Sequence, residues 1–249
     1  MAHFYLDESL ATAAVGDRIT IAGSEARHAV TVSRLGVGEP ISIGNGAGLV
    51  ATGVVSSAEH TQLVVEATSV IEHPRSTPAV FLAQALAKGD RDELAVQVAT
   101  ELGVDGVIPW AAGRSISRWE GAKVAKGRDR WAAVAREATK QSLRAWLPDV
   151  LDLVTTKQLA RLASASDGEA DGARMLVLEP TAATPLSALE LDGRDLILVV
   201  GPEGGITPQE LDALSAAGAE IVHLGNEVLR TSTAGPAALA VLAVKLGRW

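Results

Sequence analysis

Two loops near the C-terminus contain residue types that suit a ligand-binding site. The first, at 201–205 (GPEGG), follows the apolar run Leu196–Val200, and the second, at 225–231, follows the apolar run 220–224. Glycine lets a backbone approach a ligand closely, and Arg230 in the second loop could stabilise a developing anion. Ligands of parallel α/β sheets bind at the carboxyl ends of the strands. We therefore expect both loops to line one site.

A second candidate group comprises Glu137, Gln141 and Arg144, whose spacing places them on one face of a predicted helix. A carboxylate can act as a general base, while an amide and a guanidinium can hold a polar substrate. The same three side chains could instead form a network on the surface. The pattern alone leaves both interpretations open.

The elements that must position these residues alternate between strand and helix after residue 78. A last helix, at 234–246, is apolar on nearly every side, and a polar surface loop is expected at 164–173. This alternation predicts a parallel α/β unit. Apolar runs predict strands at 79–86, 104–110, 149–154, 175–179, 196–200 and 220–224.

Two helix starts in this unit have capping signals. Thr207 is expected to cap a helix, because Pro208 follows in the first turn and Glu210 stands three residues after the cap. Asp90 and Glu93 predict a similar capping box for a helix over 91–102, which Gly103 would end.

Residues 1–72 have a β-rich pattern instead, and 72–78 has the prolines of a linker. The segment 44–48 (GNGAG) lies between two strands with no helix after it, so it predicts a hairpin loop rather than a dinucleotide site. One helix, with Ser24 as its cap, has Arg27, His28 and Arg34 near its ends. Short β-branched runs predict strands at 18–21, 40–43, 48–55 and 62–68.

Charge is strongly segregated along the chain. The whole chain has a formal charge of −8, yet 114–144 holds nine Lys or Arg against three acidic residues, a local +6. Four tryptophans, at 110, 119, 131 and 146, lie in or beside this segment. Basic groups neutralise phosphates, and aromatic planes stack on unpaired bases. The alternative is an ordinary basic helix whose tryptophans lie in the core, and helical spacing does predict core positions for Trp131 and Ala135. Because the charge is so segregated, we nevertheless favour an RNA-binding face.

Several function classes are excluded or disfavoured by composition. The chain has no cysteine, which rules out disulfides and thiolate chemistry, and its 5 histidines lack metal-ligand spacing. P-loop and GxSxG patterns are absent. The chain contains no run of 18 apolar residues, so no membrane span is predicted, and the start of the chain lacks signal-peptide features. We therefore expect a cytoplasmic protein without a metal.

The two loops also carry a family resemblance. GPEGGIT and LGNEVLRTSTA together resemble the knot-forming loops of SPOUT-class RNA methyltransferases. Within that class, KGDRDELAVQVATELGV and EATKQSLR are similar to the 16S ribosomal RNA uracil-N3 methyltransferase family. The resemblance covers essentially the whole chain. It implies a SPOUT α/β trefoil-knot methyltransferase domain at 79–249, preceded by a small PUA-like β-barrel at 1–72.

The resemblance further implies S-adenosyl-L-methionine as the cofactor and site roles for particular residues. Arg230 is expected to stabilise the developing uracil anion and Glu137 to act as base, with Gln141 and Arg144 on the substrate side. Cofactor binding is expected from Leu178, Gly201, Pro202, Glu203, Gly204, Gly205, Leu224, Gly225, Leu229, Thr231, Thr233 and Ala234. RNA binding is expected from Arg27, His28, Arg34 and Lys88 by resemblance, and from Arg114, Arg118, Lys123 and Arg128 by charge.

The sequence departs from the family pattern at Glu227 and Ser232, where many relatives have arginine and glutamate. Without a cysteine, the covalent route to uracil C5 is disfavoured. A base nitrogen or a ribose oxygen remains as methyl acceptor, and only the resemblance favours N3 over a ribose 2′-O-methyltransferase. A non-catalytic RNA-binding or ribosome-assembly factor is the other alternative. The expected partners are 16S rRNA or the small ribosomal subunit, and a second copy in a homodimer, because the last helix is so apolar.

Overall fold

A computed structural model describes residues 3–164 and 172–249, so the loop expected at 164–173 lies largely outside the described residues. Contacts divide the chain into two compact units. The N-terminal unit comprises Met1–Arg75 together with Thr139–Leu147, and the C-terminal unit comprises Ser76–Ala138 and Pro148–Trp249. The division expected from sequence, at 72–79, differs for Thr139–Leu147, because this segment pairs with residues such as Ala47 and Gly48.

The N-terminal unit is built on one five-stranded sheet. Its strands run in the order β1-β3-β4-β5-β2, with β1 parallel to β3 and the other pairs antiparallel. Ile21, Ile43 and Leu63 point from these strands into an apolar core. The strands are β1 (Phe4–Leu6), β2 (Arg18–Ala22), β3 (Pro40–Gly44), β4 (Leu49–Glu59) and β5 (Gln62–Glu72).

The hairpin predicted at 44–48 is present, and the Asn45 side chain organises it by accepting the backbone N–H groups of Ala47 and Leu49 at 2.8 and 3.0 Å. The capping prediction for Ser24 is wrong. Helix α1 spans Gly23–Arg27 and begins after Ala22 without a side-chain cap, so Ser24 lies inside it. A single π-helical turn, His28–Val32, continues α1, and Arg34 follows with a left-handed φ of 56°.

The C-terminal unit contains a parallel sheet with the strand order β11-β13-β10-β12-β6-β7-β8, and β9 also pairs with β7. Its central strands are buried on both faces, as a sheet covered by helices requires. The strands are β6 (Val80–Ala85), β7 (Gly106–Ala111), β8 (Asp149–Val150), β9 (Val154–Thr155), β10 (Arg174–Leu178), β11 (Thr184–Pro185), β12 (Leu196–Val200) and β13 (Glu220–His223).

Five α-helices among the described residues accompany this sheet, and the last one packs on α2 (Arg91–Glu101), β6 and β12. Its buried residues include Gly235, Ala238 and Leu242, so the small side chains let it lie close to the strands. Among the described residues, no helix is long and apolar enough to cross a membrane. The helices are α2 (Arg91–Glu101), α3 (Ala122–Gln141), α4 (Thr156–Ser164), α5 (Pro208–Ala216) and α6 (Thr231–Lys245).

Of the two capping predictions in this unit, one is confirmed and one is wrong. Thr207 and Glu210 form a full capping box at α5. Asp90 precedes α2 with a left-handed φ of 58° and makes no side-chain cap hydrogen bond. Asp92 stabilises the start of α2 instead, since its carboxylate accepts hydrogen bonds from the backbone N–H groups of Ala87 and Glu93 at 3.1 and 2.9 Å.

Two helix boundaries also differ from the prediction. Helix α3 ends at Gln141, and Leu143 turns the chain with a φ of 58°, so Arg144 lies beyond the helix and the predicted common face is wrong for it. Helix α6 begins at Thr231 rather than at 234. The last residues of the second loop are therefore helical.

Candidate active site

One cleft opens at the carboxyl ends of β10, β12 and β13, and we call it the strand-end cleft. Its volume is about 340 Å³, within the range of small-molecule sites. The end of β10 and the chain after it contribute Leu178 to Pro180, the loop after β12 contributes 201–203, 205 and 206, and the chain after β13 contributes 224, 225 and 227–231. Because neighbouring parallel strands end on the same edge, residues far apart in sequence meet here.

The first loop has a tight, glycine-dependent conformation. An added Cβ on Gly201 would lie 2.6 Å from Ile206, and Gly205 has a φ of 72° that side chains rarely adopt. The backbone N–H of Gly205 donates to the carbonyl of Pro202 at 2.9 Å and closes the turn. The loop therefore presents its backbone, rather than side chains, to the cleft.

A buried polar chain connects the two loops. The Gln84 amide at the end of β6 donates to Thr231 Oγ1 at 2.8 Å and to the Ala85 carbonyl at 3.1 Å. The Thr231 hydroxyl in turn donates to the Gly201 carbonyl at 2.8 Å. Both side chains are buried, so neither could hydrogen-bond to water in place of these partners. Gln84 and Thr231 thus fix the start of α6 against the first loop.

A carboxylate stands at one wall of the strand-end cleft. Glu203 Oε1 accepts the backbone N–H of Lys88 at 3.1 Å and the Arg91 guanidinium at 2.9 Å. Burial alone would raise the pKa of Glu203, but hydrogen bonds from its own backbone N–H, from the Lys88 N–H and from the Arg91 guanidinium outweigh it, so the pKa lies below its ordinary value. Glu203 is therefore ionised at neutral pH and holds the Lys88–Arg91 turn in place.

The structure brings most of the expected cofactor-binding residues together. Gly204 and Thr233 do not line the cleft. Gly204 faces Arg114, which an added Cβ would approach to 3.1 Å, and Thr233 is exposed on α6. The residues that do line it are Leu178, Gly201, Pro202, Glu203, Gly205, Leu224, Gly225, Leu229, Thr231 and Ala234.

Of the four residues expected to be catalytic, only Arg230 lines the strand-end cleft. Glu137 is exposed on α3 and does not line it. Gln141 and Arg144 belong by their contacts to the N-terminal unit. The second loop also places Glu227, one of the departures from the family pattern, in the cleft lining, whereas Ser232 is buried in α6.

Several lining residues were missed from sequence. Glu179 and Pro180 follow β10 directly, and His223 ends β13. Arg91 comes from the start of α2. The signal for the first three was available, since each stands at the carboxyl end of a predicted strand, but their relevance depends on which strands are neighbours.

The expected RNA-binding residues occupy different environments. Arg118 and Lys123 are exposed. Arg114 donates to the Gly204 carbonyl at 3.0 Å, and Arg128 pairs with Asp152 at 2.7 Å. The remaining four, which are exposed as well, are Arg27, His28, Arg34 and Lys88.

The tryptophans of the basic segment are mainly structural. Trp110 and Trp131 are 0% and 1% exposed, so the predicted core position of Trp131 is confirmed and neither ring can stack on RNA. Trp146 donates from Nε1 to the His73 carbonyl at 2.9 Å, and the Arg75 guanidinium lies 4.6 Å from its ring centroid. Trp119 is half-buried and packs edge-on against Trp131.

Comparisons with known proteins agree with this geometry. A family model described as an RNA methyltransferase domain matches residues 74–243, and one described as an RNA methyltransferase PUA domain matches 21–68. A Mycobacterium bovis protein named ribosomal RNA small subunit methyltransferase E is 41% identical over 247 residues, covering 99% of this chain and 92% of that protein. The chain belongs to the ribosomal RNA small subunit methyltransferase E family.

A further relative and two solved structures extend the comparison. The Bacillus subtilis member is 32% identical over 232 residues, covering 90% of this chain and 88% of that protein. The crystal structure of the Neisseria gonorrhoeae member bound to S-adenosylmethionine has a TM-score of 0.85 at 26% identity, with 98% of each chain covered. A Legionella pneumophila methyltransferase, solved with the same cofactor, has a TM-score of 0.84 at 28% identity and 98% coverage of each chain. The expected fold class, a SPOUT α/β-knot methyltransferase domain after a PUA-like barrel, is confirmed.

Proposed function

We propose that this protein transfers the methyl group of S-adenosylmethionine to N3 of one uridine in 16S ribosomal RNA, as free RNA or in the small subunit. The strand-end cleft carries the proposal. It brings together the glycine-rich loop 201–205 and the second loop 225–231, which places Arg230 in the same lining. Membership of the family supplies the substrate class.

The cleft residues fit the cofactor. Leu178, Leu224 and Leu229 give apolar walls that suit an adenine ring, and the backbone of 201–205 offers hydrogen-bonding groups at its edge. The volume of about 340 Å³ admits a molecule of nucleoside size. When bound, the cofactor supplies an electrophilic methyl group on a sulfonium centre.

The chain's own residues would position the acceptor and stabilise its charge. The N3 proton of uracil must pass to a base, a role that the resemblance gives to Glu137, before N3 can attack, and the negative charge then spreads onto O2 and O4. The Arg230 guanidinium would stabilise that charge. Holding donor and acceptor in line in a cleft that excludes water supplies much of the remaining acceleration. For Glu137, Gln141 and Arg144, roles in this step rest on the resemblance alone.

RNA binding is assigned to two exposed groups of basic residues, one on each unit. Arg118 and Lys123 form the group of the C-terminal unit. Arg114 and Arg128 add positive charge to this group, although each also bonds to a protein partner, the Gly204 carbonyl and Asp152. Lys88 lies in the same unit. The group of the N-terminal unit comprises Arg27, His28 and Arg34. Such side chains neutralise phosphates and position the RNA.

We also propose a homodimer that acts in the cytoplasm, where ribosomal RNA is the substrate. On α6, Val244 remains 63% exposed although most of the helix is buried, and Trp249 after it is 65% exposed. A second copy would cover this apolar surface. Sedimentation should show a dimer at micromolar concentration, and Val244→Glu should shift it toward the monomer; a wild-type monomer would contradict the proposal.

The deciding experiment maps modified nucleotides in small-subunit RNA from cells with and without the protein. A methyl group on N3 blocks the pairing edge, so reverse transcriptase should stop at one uridine, and Arg230→Ala should remove the stop. A 2′-O-methyl nucleoside with normal read-through would favour the ribose methyltransferase instead. Unchanged RNA with retained RNA binding would favour a non-catalytic assembly factor.

A further inference from the structure

We propose that a second cleft in the C-terminal unit takes the pyrimidine base of the nucleotide that is methylated. This α2–α3 cleft has a volume of about 310 Å³. The inference rests on the proposed function, since it names where that reaction's acceptor base is held. Its lining comes from the turn between β6 and α2, the segment after β7 and one side of α3, and includes Lys88, Asp92, Trp119, Gly127, Arg130 and Trp131.

The aromatic wall of the α2–α3 cleft is held rigidly. The Trp119 indole lies directly on Gly127, where an added Cβ would come within 2.3 Å of the ring. Its edge contacts Trp131, with ring centroids 5.3 Å apart and planes at 77°. Glycine inside a helix costs about 1 kcal/mol relative to alanine, and room for this ring accounts for its presence in α3. Trp119 is thus a fixed, half-buried plane.

A fixed aromatic plane beside cations suits a nucleotide extruded from RNA. Stacking a base on an aromatic side chain contributes about 1–3 kcal/mol, and enzymes that modify bases commonly take them out of the helix. Lys88 and Arg130 line the same cleft and could meet the flanking phosphates; Arg130 is 64% exposed even though it pairs with Glu93 at 2.9 Å. The cleft combines both requirements.

The α2–α3 cleft also adjoins the strand-end cleft, as methyl transfer requires. Lys88 lines the former and Arg91 lines the latter, and both hydrogen-bond to Glu203. The short turn 88–91 therefore contributes to the linings of both clefts. A methyl donor in one and an acceptor base reaching from the other would meet at the Glu203 wall.

A double-mutant cycle between protein and RNA tests this assignment. The wild-type protein and Trp119→Ala would be titrated with an RNA carrying the mapped target uridine, and with the same RNA made abasic at that position. We expect Trp119→Ala to weaken binding of the intact RNA about 5- to 150-fold. It should have little effect on the abasic RNA. Cofactor affinity, measured by calorimetry, should stay at the wild-type value.

Two further variants guard against simple loss of folding. Trp119→Phe keeps an aromatic plane and should recover most of the binding, whereas Gly127→Ala should push the ring out of place and weaken binding despite its better helix propensity. Leu162→Ala, at an exposed apolar residue of α4 that lines neither cleft, is the control for loss of an apolar side chain. Equal losses on intact and abasic RNA would overturn the inference while leaving the methyltransferase function intact. A wild-type protein that methylates no uridine would instead refute the function itself.

Discussion

The hydrogen-bond chain from Gln84 through Thr231 to Gly201 makes a sharp prediction for Thr231→Val. Valine keeps the shape of threonine but removes both 2.8 Å hydrogen bonds of Oγ1. The Gly201 carbonyl then loses the hydroxyl donor, and the Gln84 amide keeps only its 3.1 Å bond to the Ala85 carbonyl. We therefore expect changes in both stability and cofactor affinity.

The magnitude follows from leaving buried polar groups without partners. Each such group costs about 1–3 kcal/mol, and two groups lose a partner, so we expect the free energy of unfolding to fall by about 2–6 kcal/mol in Thr231→Val. Because the hydroxyl also fixes the first loop, cofactor affinity should fall about tenfold, equivalent to about 1.4 kcal/mol. Thr231→Ser retains the hydroxyl and loses only one methyl group, about 1 kcal/mol, so it should keep near wild-type affinity.

Denaturant titration would give stability, and calorimetry with S-adenosylmethionine would give affinity. The matched control is Thr100→Val, because Thr100 is equally buried and bonds to the Val96 carbonyl of its own helix at 2.8 Å, away from the strand-end cleft. It should lose stability but bind cofactor normally. If Thr231→Val bound cofactor like Thr231→Ser, the polar chain would have no role in shaping the cleft.

Further predictions concern acid stability, RNA binding and the first loop. Burial raises the pKa of Glu210, but hydrogen bonds from Gly113, Thr156 and Thr207 outweigh it and hold the pKa below its ordinary value. The stabilisation that the Glu210 carboxylate gives to the fold is therefore complete above the ordinary glutamate pKa of about 4.3 and is lost as the pH falls through the lower pKa of the folded state. Glu210→Gln should lower the free energy of unfolding by about 1–3 kcal/mol near pH 7, and this difference from the wild type should shrink in denaturation curves measured at acid pH. Replacing Arg118 and Lys123 by alanine should reduce the slope of log K against log salt by about 0.7–0.9 per lost phosphate contact, and an unchanged slope would return them to ordinary surface charge. Gly205→Ala, at a φ of 72°, should lower stability by about 1–2 kcal/mol and weaken cofactor binding, whereas wild-type calorimetry would contradict a strained loop.

Local signals in the sequence predicted the structure where the interaction itself is local. Thr207 and Glu210 satisfy each other within one helical turn, so the pattern is sufficient. Asp90 and Glu93 have the same spacing, but Glu93 pairs with Arg130 on α3 instead. The competing partner lies 37 residues away, and no helix-start pattern contains that information.

The roles of Gln84 and Gly127 could not be predicted from the sequence for a related reason. Gln84 stands in an apolar run and reads as an interruption of it, yet its amide meets Thr231, 147 residues further along the chain. Gly127 is similar, because a glycine in a helix predicts only weak helix propensity until the Trp119 ring is found against it. In both cases the tertiary partner supplies the reason for the residue type.

Strand order decides which residues after each strand belong to the site. The sequence shows that glycine loops follow β12 and β13, and these two strands are not neighbours: β10 lies between them and is parallel to both. The chain leaving β10 must therefore emerge between the two loops, which is why Glu179 and Pro180 line the strand-end cleft without any motif of their own. Position in the sheet, rather than residue type, places this segment in the site. No motif of the sequence therefore pointed to Leu178, and only the family resemblance predicted it there.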